Sequence, residues 1–236
     1  SKGVDSPEFI EKNFVQRNLQ DTVYVTANPH VRLINNDVFH EVITEPLSNW
    51  NSELQCVPPS EVTKSAIKAH QDHPNKRIIV HYMQPHDPPL GDTADTLRAE
   101  LNISGPNSGS EDHGERIMQL VADGIVSKQK ARKAYQETLE MALDEVNTLI
   151  HNISGKVVIS SDHGEMFGER PYRFVGPLYE HYKNPKTTYL CKVPWFIVDL
   201  DNERRDICNE DKNKQNEAAF DDDQKIEKQL EALGYK

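Results

Sequence analysis

Cysteine is scarce. Cys56, Cys191 and Cys208 are the three in 236 residues, and no two share a C-x-x-C spacing. That excludes a thiolate zinc knuckle and a dithiol redox motif. An odd, widely spaced set reads as reduced thiols of a cytosolic protein. Positive charge is also short, since 27 Lys and Arg stand against 38 Asp and Glu, a formal net charge of -11. Duplex binding needs clustered cations to displace counterions, so no general nucleic-acid surface is expected. A local basic pocket for an anionic substrate stays compatible with this balance. No apolar run approaches the roughly 18 residues of a membrane span, and the opening SKGVDSPEFIEKNF has no apolar stretch of a secretory leader. The chain therefore reads as cytoplasmic, with neither membrane nor nucleic acid as partner. In that setting Asn102-Ile-Ser and Asn152-Ile-Ser are ordinary surface positions rather than glycosylated ones. A hydrophobic fraction of 36% with seven Phe and two Trp still supports a core, which excludes disorder throughout.

The hydrophobic pattern alternates between strand and helix, which favours a mostly parallel central sheet flanked by helices in one α/β domain. Ser6-Pro7-Glu8 reads as a helix start, with the Ser6 hydroxyl as cap and an acid at the positive end of the dipole. That helix would reach about Arg17. Thr22 to Thr26, Arg77 to Met83, Lys156 to Ser161 and Val193 to Val198 read as four buried strands, each rich in β-branched residues. Ser60 to His70 reads as a helix. Residues 91–114 read as a long polar loop, on the strength of Gly105, Pro106, Gly109 and Gly114. The clearest helix is Lys128 to His151, where Tyr135, Leu139, Ala142, Val146 and Leu149 fall at spacings of three and four. A charged segment over 201–236 closes on a short helix carrying Ile226, Leu230 and Leu233, stopped at Gly234.

Chemistry concentrates in VVISSDHGEMFGER, Val157 to Arg170. In an open α/β sheet ligands sit beyond the carboxyl ends of strands. Asp162 and His163 emerge at that edge. A carboxylate beside an imidazole can bind one divalent ion, and Gly164 lets the chain turn at once. The same pair also suits a loop aspartate capping a turn beside a solvated histidine. Glu165 reads as a buttress that bonds backbone amides, and Glu169 and Arg170 as a solvated turn. Tyr82 and Trp195 read as core aromatics. His30, His40, His70, His73, His113 and His151 have no motif around them.

Several segments together resemble the sulfatase branch of the alkaline phosphatase superfamily, in a small archaeal-type form. They are the strand running into SDHGE, the HYMQPHDP segment at 81–88, His181, the Val193-Pro194-Trp195 strand start and the terminal LEALGY. They occur in family order and span residues 6–236. The resemblance implies an alkaline-phosphatase-like single domain over 1–200. It implies a metal-dependent hydrolase of sulfate or phosphate esters acting on a small anionic ester. Asp162 and His163 would hold a divalent ion, Ca, Mg or Mn, while His86 and His181, or Lys183 in place of His181, would contact the substrate. Members of this family open with a strand bearing Asp ligands and a Cys, Ser or Thr nucleophile at the next helix. Here the best register puts Val4 at the nucleophile's place and Ser6 two positions on, so Ser6 is the candidate nucleophile. No Cys-x-Pro-x-Arg is present, so formylglycine chemistry is not implied. The expectation is a fragment lacking the amino-terminal strand, or a catalytically degenerate binding or scaffold protein. A phospho-group transferase is the third reading, because the same site can pass the group to an alcohol.

Overall fold

The strand TVYVT lies at the centre of the molecule. In the computed structural model, which describes residues 1–35, 37–101, 116–182, 184, 186–200, 206–209 and 227–230, it forms β1 (Leu19–Thr26). β1 pairs in parallel with β2 (Phe39–Ile43) on one side and β3 (Arg77–His81) on the other. Both faces of β1 are covered from Thr22 on, which is why its Val23-Tyr24-Val25 core does not alternate apolar with polar. Val23 and Val25 pack against Ala66 and Ala69 of α2 (Pro59–Asp72) and Leu149 of α5 (Lys128–Ile150). Tyr24 faces the other way, with Phe39 and with Ile10 and Phe14 at the end of α1 (Ser6–Asn13). The chain is thus an α/β protein with a small parallel three-stranded sheet between helices.

Four further strands form two separate antiparallel pairs among the described residues. β4 (Lys156–Ser160) pairs with β7 (Trp195–Asp199), and β5 (Met166–Glu169) with β6 (Leu178–Glu180). The short β5–β6 hairpin has no counterpart in the sequence reading. Helices α3 (Asp92–Leu101), α4 (Ile117–Ala122) and α6 (Thr188–Cys191) complete the order. Among the described residues no helix is long and apolar enough to cross a membrane. Cys56, Cys191 and Cys208 are free thiols.

Several expectations need correction. Asp5, not Ser6, caps α1: its side chain accepts the Glu8 amide at 2.7 Å. The helix also stops at Asn13, short of Arg17. Asp92–Leu101 is helical rather than a loop, because one narrow stripe, Thr93, Ala94 and Leu97, is buried. The Thr93 amide and hydroxyl both donate to the Glu137 carboxylate on α5. Residues 102–115 lie outside the described residues, as do Ile226 and Leu233. β4 and β7 are not buried strands. Trp195 is 71% exposed, Phe196 63% and Ile197 50%, and Val157, Ile159 and Val198 are only half-buried. Trp195 is therefore not a core aromatic, whereas Tyr82 packs against the Val57, Val62 and Met83 cluster.

Two expected outcomes follow from these elements. Glu8 accepts the Val4 amide at 3.0 Å and pairs with both Lys12 and Lys186. Burial alone would raise its carboxyl, but the lysines and the amide outweigh burial and lower it from 4.5 to about 2. A carboxyl depressed on folding stabilises above its unfolded value, and that contribution is lost as pH falls from 4.5 through about 2. Urea unfolding should show Glu8→Gln less stable by about 1–2 kcal/mol at pH 7. The gap should close near pH 2, and a constant gap would remove the ionic explanation. The second outcome concerns the apolar ribbon, where contiguous exposed hydrophobes on a two-stranded sheet favour association. A Phe196→Lys, Ile197→Lys variant should bind less of a hydrophobic dye and sediment as a smaller species than wild type, and unchanged association would count against this.

Candidate functional site

The site forms where the ends of β3 and β4 meet the start of α1. With Asp5 as cap, the Ser6 side chain is released from capping and points into the protein. Its hydroxyl donates to Asp162 Oδ2 at 2.6 Å, across 156 positions of sequence. Val4, two residues earlier, is fully buried against Met166 and Leu190 and lines the packing beneath the site rather than the site itself. Asp162 Oδ1 accepts the His163 amide at 2.9 Å, so both carboxylate oxygens are engaged.

Two imidazoles flank Asp162 Oδ2, His163 Nε2 at 3.5 Å and His81 Nε2 at 3.6 Å. Burial opposes ionisation of Asp162, yet His81, His163 and the Ser6 hydroxyl together hold its carboxyl far below the usual range. The cluster thus favours the carboxylate form of Asp162. His81 was not singled out from sequence. The readable signal was its place as the polar last residue of an apolar strand, the same kind of place that drew attention to Asp162.

The remaining histidines join from the other side. The His163 and His181 rings are 4.5 Å apart and those of His86 and His181 5.3 Å apart. The hairpin brings this about. Met166 of β5 lies opposite Glu180 of β6, so the flanking residues Glu165 and His181 are neighbours. His181 Nδ1 lies 3.3 Å from Glu165 Oε2. Glu165 thus buttresses an imidazole, an arrangement not foreseen in the sequence. Glu169 is not solvated either: it accepts the Phe167 amide and pairs with Arg132, while Arg170 is exposed. Lys183 lies outside the described residues.

His86, Asp87, Arg116, Glu165, Glu180 and His181 line a narrow cleft of about 20 Å³. A space of that size admits about one water. Its electrostatics are those of a dry place. Burial, then the neighbouring His181, pushes His86 down to about 3. Burial, then His163, pushes His181 down to about 4. Burial, reinforced by neighbouring carboxylates, raises Asp87 to about 7. Burial raises Glu165 to about 8 even though His163 opposes it. Near neutral pH the cleft therefore holds uncharged imidazoles and a largely protonated Glu165, beside the fixed charge of Asp162. Arg116 pairs with Glu180 at 3.0 Å at its margin.

The donors suit part of a cation site. Asp162 Oδ2 and His163 Nε2 are spaced like neighbouring corners of one coordination shell. His163 Nδ1 donates to the Gly164 carbonyl at 2.9 Å, so Nε2 is the ring nitrogen turned toward Asp162. Among the described residues no group of three or more His, Cys, Asp or Glu side chains could hold a metal ion. A bound divalent ion would therefore take its other ligands from water or substrate oxygens.

No protein-family profile, curated protein or solved structure matches the chain. Gly164 follows Asp162 and His163 in the turn that carries them. The sequence suggested that it frees a turn. In the structure its amide donates to the Leu190 carbonyl at 2.8 Å, and a Cβ added there would run into the Tyr189 carbonyl oxygen. Close approach, not an unusual backbone angle, requires glycine here. Gly164→Ala should cost about 2 kcal/mol or more through this clash. Thermal unfolding checks it, and a melting point equal to wild type would contradict the argument.

Proposed function

We propose that this chain is a sulfatase-like member of the alkaline phosphatase superfamily, with the single α/β domain of that family, and that it hydrolyses sulfate or phosphate esters at Ser6. The observation that carries the reading is the 2.6 Å hydrogen bond from Ser6 to Asp162. The candidate nucleophile and the candidate metal ligand, chosen separately from sequence, lie in contact. The juxtaposed His163, His181 and His86 support it further.

The reaction needs a nucleophile, a means of spreading the charge of the transferring group, and a partner for the departing oxygen. Ser6 Oγ bonds to the sulfur or phosphorus as the bond to the ester oxygen breaks. The Ser6 proton passes to solvent water, and the departing oxygen takes a proton from solvent to leave as an alcohol. Water then cleaves the Ser6 ester, which restores the hydroxyl and releases sulfate or phosphate. Asp162 orients the Ser6 hydroxyl throughout. His86 and His181 would hydrogen-bond the ester oxygens or the departing one. A divalent ion, Ca²⁺, Mg²⁺ or Mn²⁺, held by Asp162 and His163, would draw charge from the ester oxygens and ease loss of the Ser6 proton.

The test uses the full chain with Mn²⁺ on p-nitrophenyl phosphate, bis(p-nitrophenyl) phosphate and p-nitrophenyl sulfate. Turnover of at least one ester should fall about 100-fold or more in both Ser6→Ala and Asp162→Ala, as for members of a catalytic unit. Calorimetry should show Mn²⁺ binding by wild type and its loss in Asp162→Ala. Equal turnover in all three proteins, or none in wild type, would reject the hydrolase reading. Equal Mn²⁺ binding would reject the ligand pair.

A further inference from the structure

Two residues beside Ser6 and Asp162 have no part in the reaction just described. Tyr24 is fully buried on β1, and its hydroxyl lies 2.6 Å from His81 Nδ1. The other nitrogen of that ring, Nε2, lies 3.6 Å from the Asp162 oxygen that receives the Ser6 hydroxyl. Tyr24, His81, Asp162 and Ser6 therefore form one line of contacts across β1, β3, the turn after β4 and the first position of α1.

We infer that His81, braced by the Tyr24 hydroxyl, is a positioning residue for ester cleavage at Ser6: it fixes the Asp162 carboxylate so that Oδ2 meets the Ser6 hydroxyl. The inference rests on the hydrolase reading of this site. A carboxylate turns about a broad, soft terminal torsion, so an oxygen that must orient a nucleophile needs restraint. The His163 amide restrains Oδ1. His81 stands where it restrains Oδ2.

The ring is itself held. Thr26 is the register partner of His81, which puts Tyr24 at the diagonal position on the same face, within reach of a long aromatic side chain. The Phe9 ring of α1 packs edge-on against the imidazole at 6.1 Å. A neutral imidazole carries a proton on one nitrogen only. Asp162 is an anion and calls for the proton on Nε2. Nδ1 then accepts from the Tyr24 hydroxyl, so Tyr24 selects the tautomer that serves Asp162. The 3.6 Å contact is longer than a formed hydrogen bond, and catalytic contacts of this kind tighten once substrate is in place. A purely structural Tyr24–His81 pair would satisfy two buried polar groups but would not need to face the oxygen that Ser6 uses.

The test takes the full chain and whichever nitrophenyl ester wild type turns over in a Ser6-dependent way. His81→Phe keeps the volume and loses both contacts. Its kcat should fall about 30-fold, in line with a misplaced reacting group, with KM within about two-fold. His81→Gln places an amide donor near the Nε2 position and should recover most of the loss. Tyr24→Phe should show an intermediate loss in kcat. Wild-type kcat in a folded His81→Phe, a change confined to KM, or a His81→Gln no better than His81→Phe would each overturn the inference. Nitrogen-15 spectra of the imidazoles in wild type give a reading that needs no variant to fold and no substrate. The Nε2–H tautomer of His81 is expected, and the Nδ1–H tautomer would overturn the inference. If wild type shows no Ser6-dependent turnover, the hydrolase reading falls, and the same spectra still decide whether Tyr24 and Asp162 set the ring.

Discussion

The hydrogen bond from Ser6 to Asp162 can form only if three separate pieces of structure agree. α1 must begin at Ser6, so that Asp5 takes the capping role and Ser6 is free to reach inward. β4 must end at Ser160, so that Asp162 falls in the turn beyond it. α1 must pack over the sheet so that its first position meets that turn, which Ile10 and Phe14 secure by burying against Tyr24 and Phe39. Each condition is met by ordinary packing or capping energy. Their coincidence places a hydroxyl against a buried anion, and the histidines then gather around it.

Asp162 and Glu165 are three residues apart and sit in opposite electrostatic states. Both are desolvated, which by itself raises a carboxyl. Asp162 is surrounded by donors from three elements, so its charge survives burial. Glu165 faces a dry cleft shared with Glu180, and burial wins, raising it to about 8. Adjacent titratable groups pushed apart in this way mark acid and base roles in many active sites. The cost is an uneasy cluster in which Asp87, Glu165 and Glu180 share one Arg116.

The parts of this arrangement that were legible in the sequence are those carried by local pattern. The β-branched run at Thr22 to Thr26 and the three-and-four spacing along α5 each fix an element without help from the rest of the chain. The SDHG turn was visible because a polar pair follows an apolar strand. What stayed hidden depended on partners far away. Asp92–Leu101 looked like loop because its buried stripe is only three residues wide and owes its place to Glu137 on another helix. His81 looked like one more strand residue, since its meaning comes from Tyr24 and Asp162, 57 positions upstream in one case and across the sheet in the other. Trp195 looked like core because aromatic strand residues usually are, and only its exposure on β7 shows otherwise.

That exposed ribbon bears directly on the site. β4 delivers Asp162, yet among the described residues β4 pairs only with β7, and Val158 on one face is exposed while Val157 and Ile159 on the other are half-buried. A strand so held is a loose mount for a group that must be placed within a fraction of an ångström. The precision at Asp162 must therefore come from contacts made at the turn itself. The Gly164 amide on the Leu190 carbonyl ties the turn to α6, and the Val4, Met166 and Leu190 cluster ties α6 to the chain leading into α1. Ser6 and His81 close on the carboxylate from α1 and from β3. The three-stranded parallel sheet thus reaches Asp162 through His81 rather than through the strand that carries it, and the positioning of the nucleophile depends on that side-chain route.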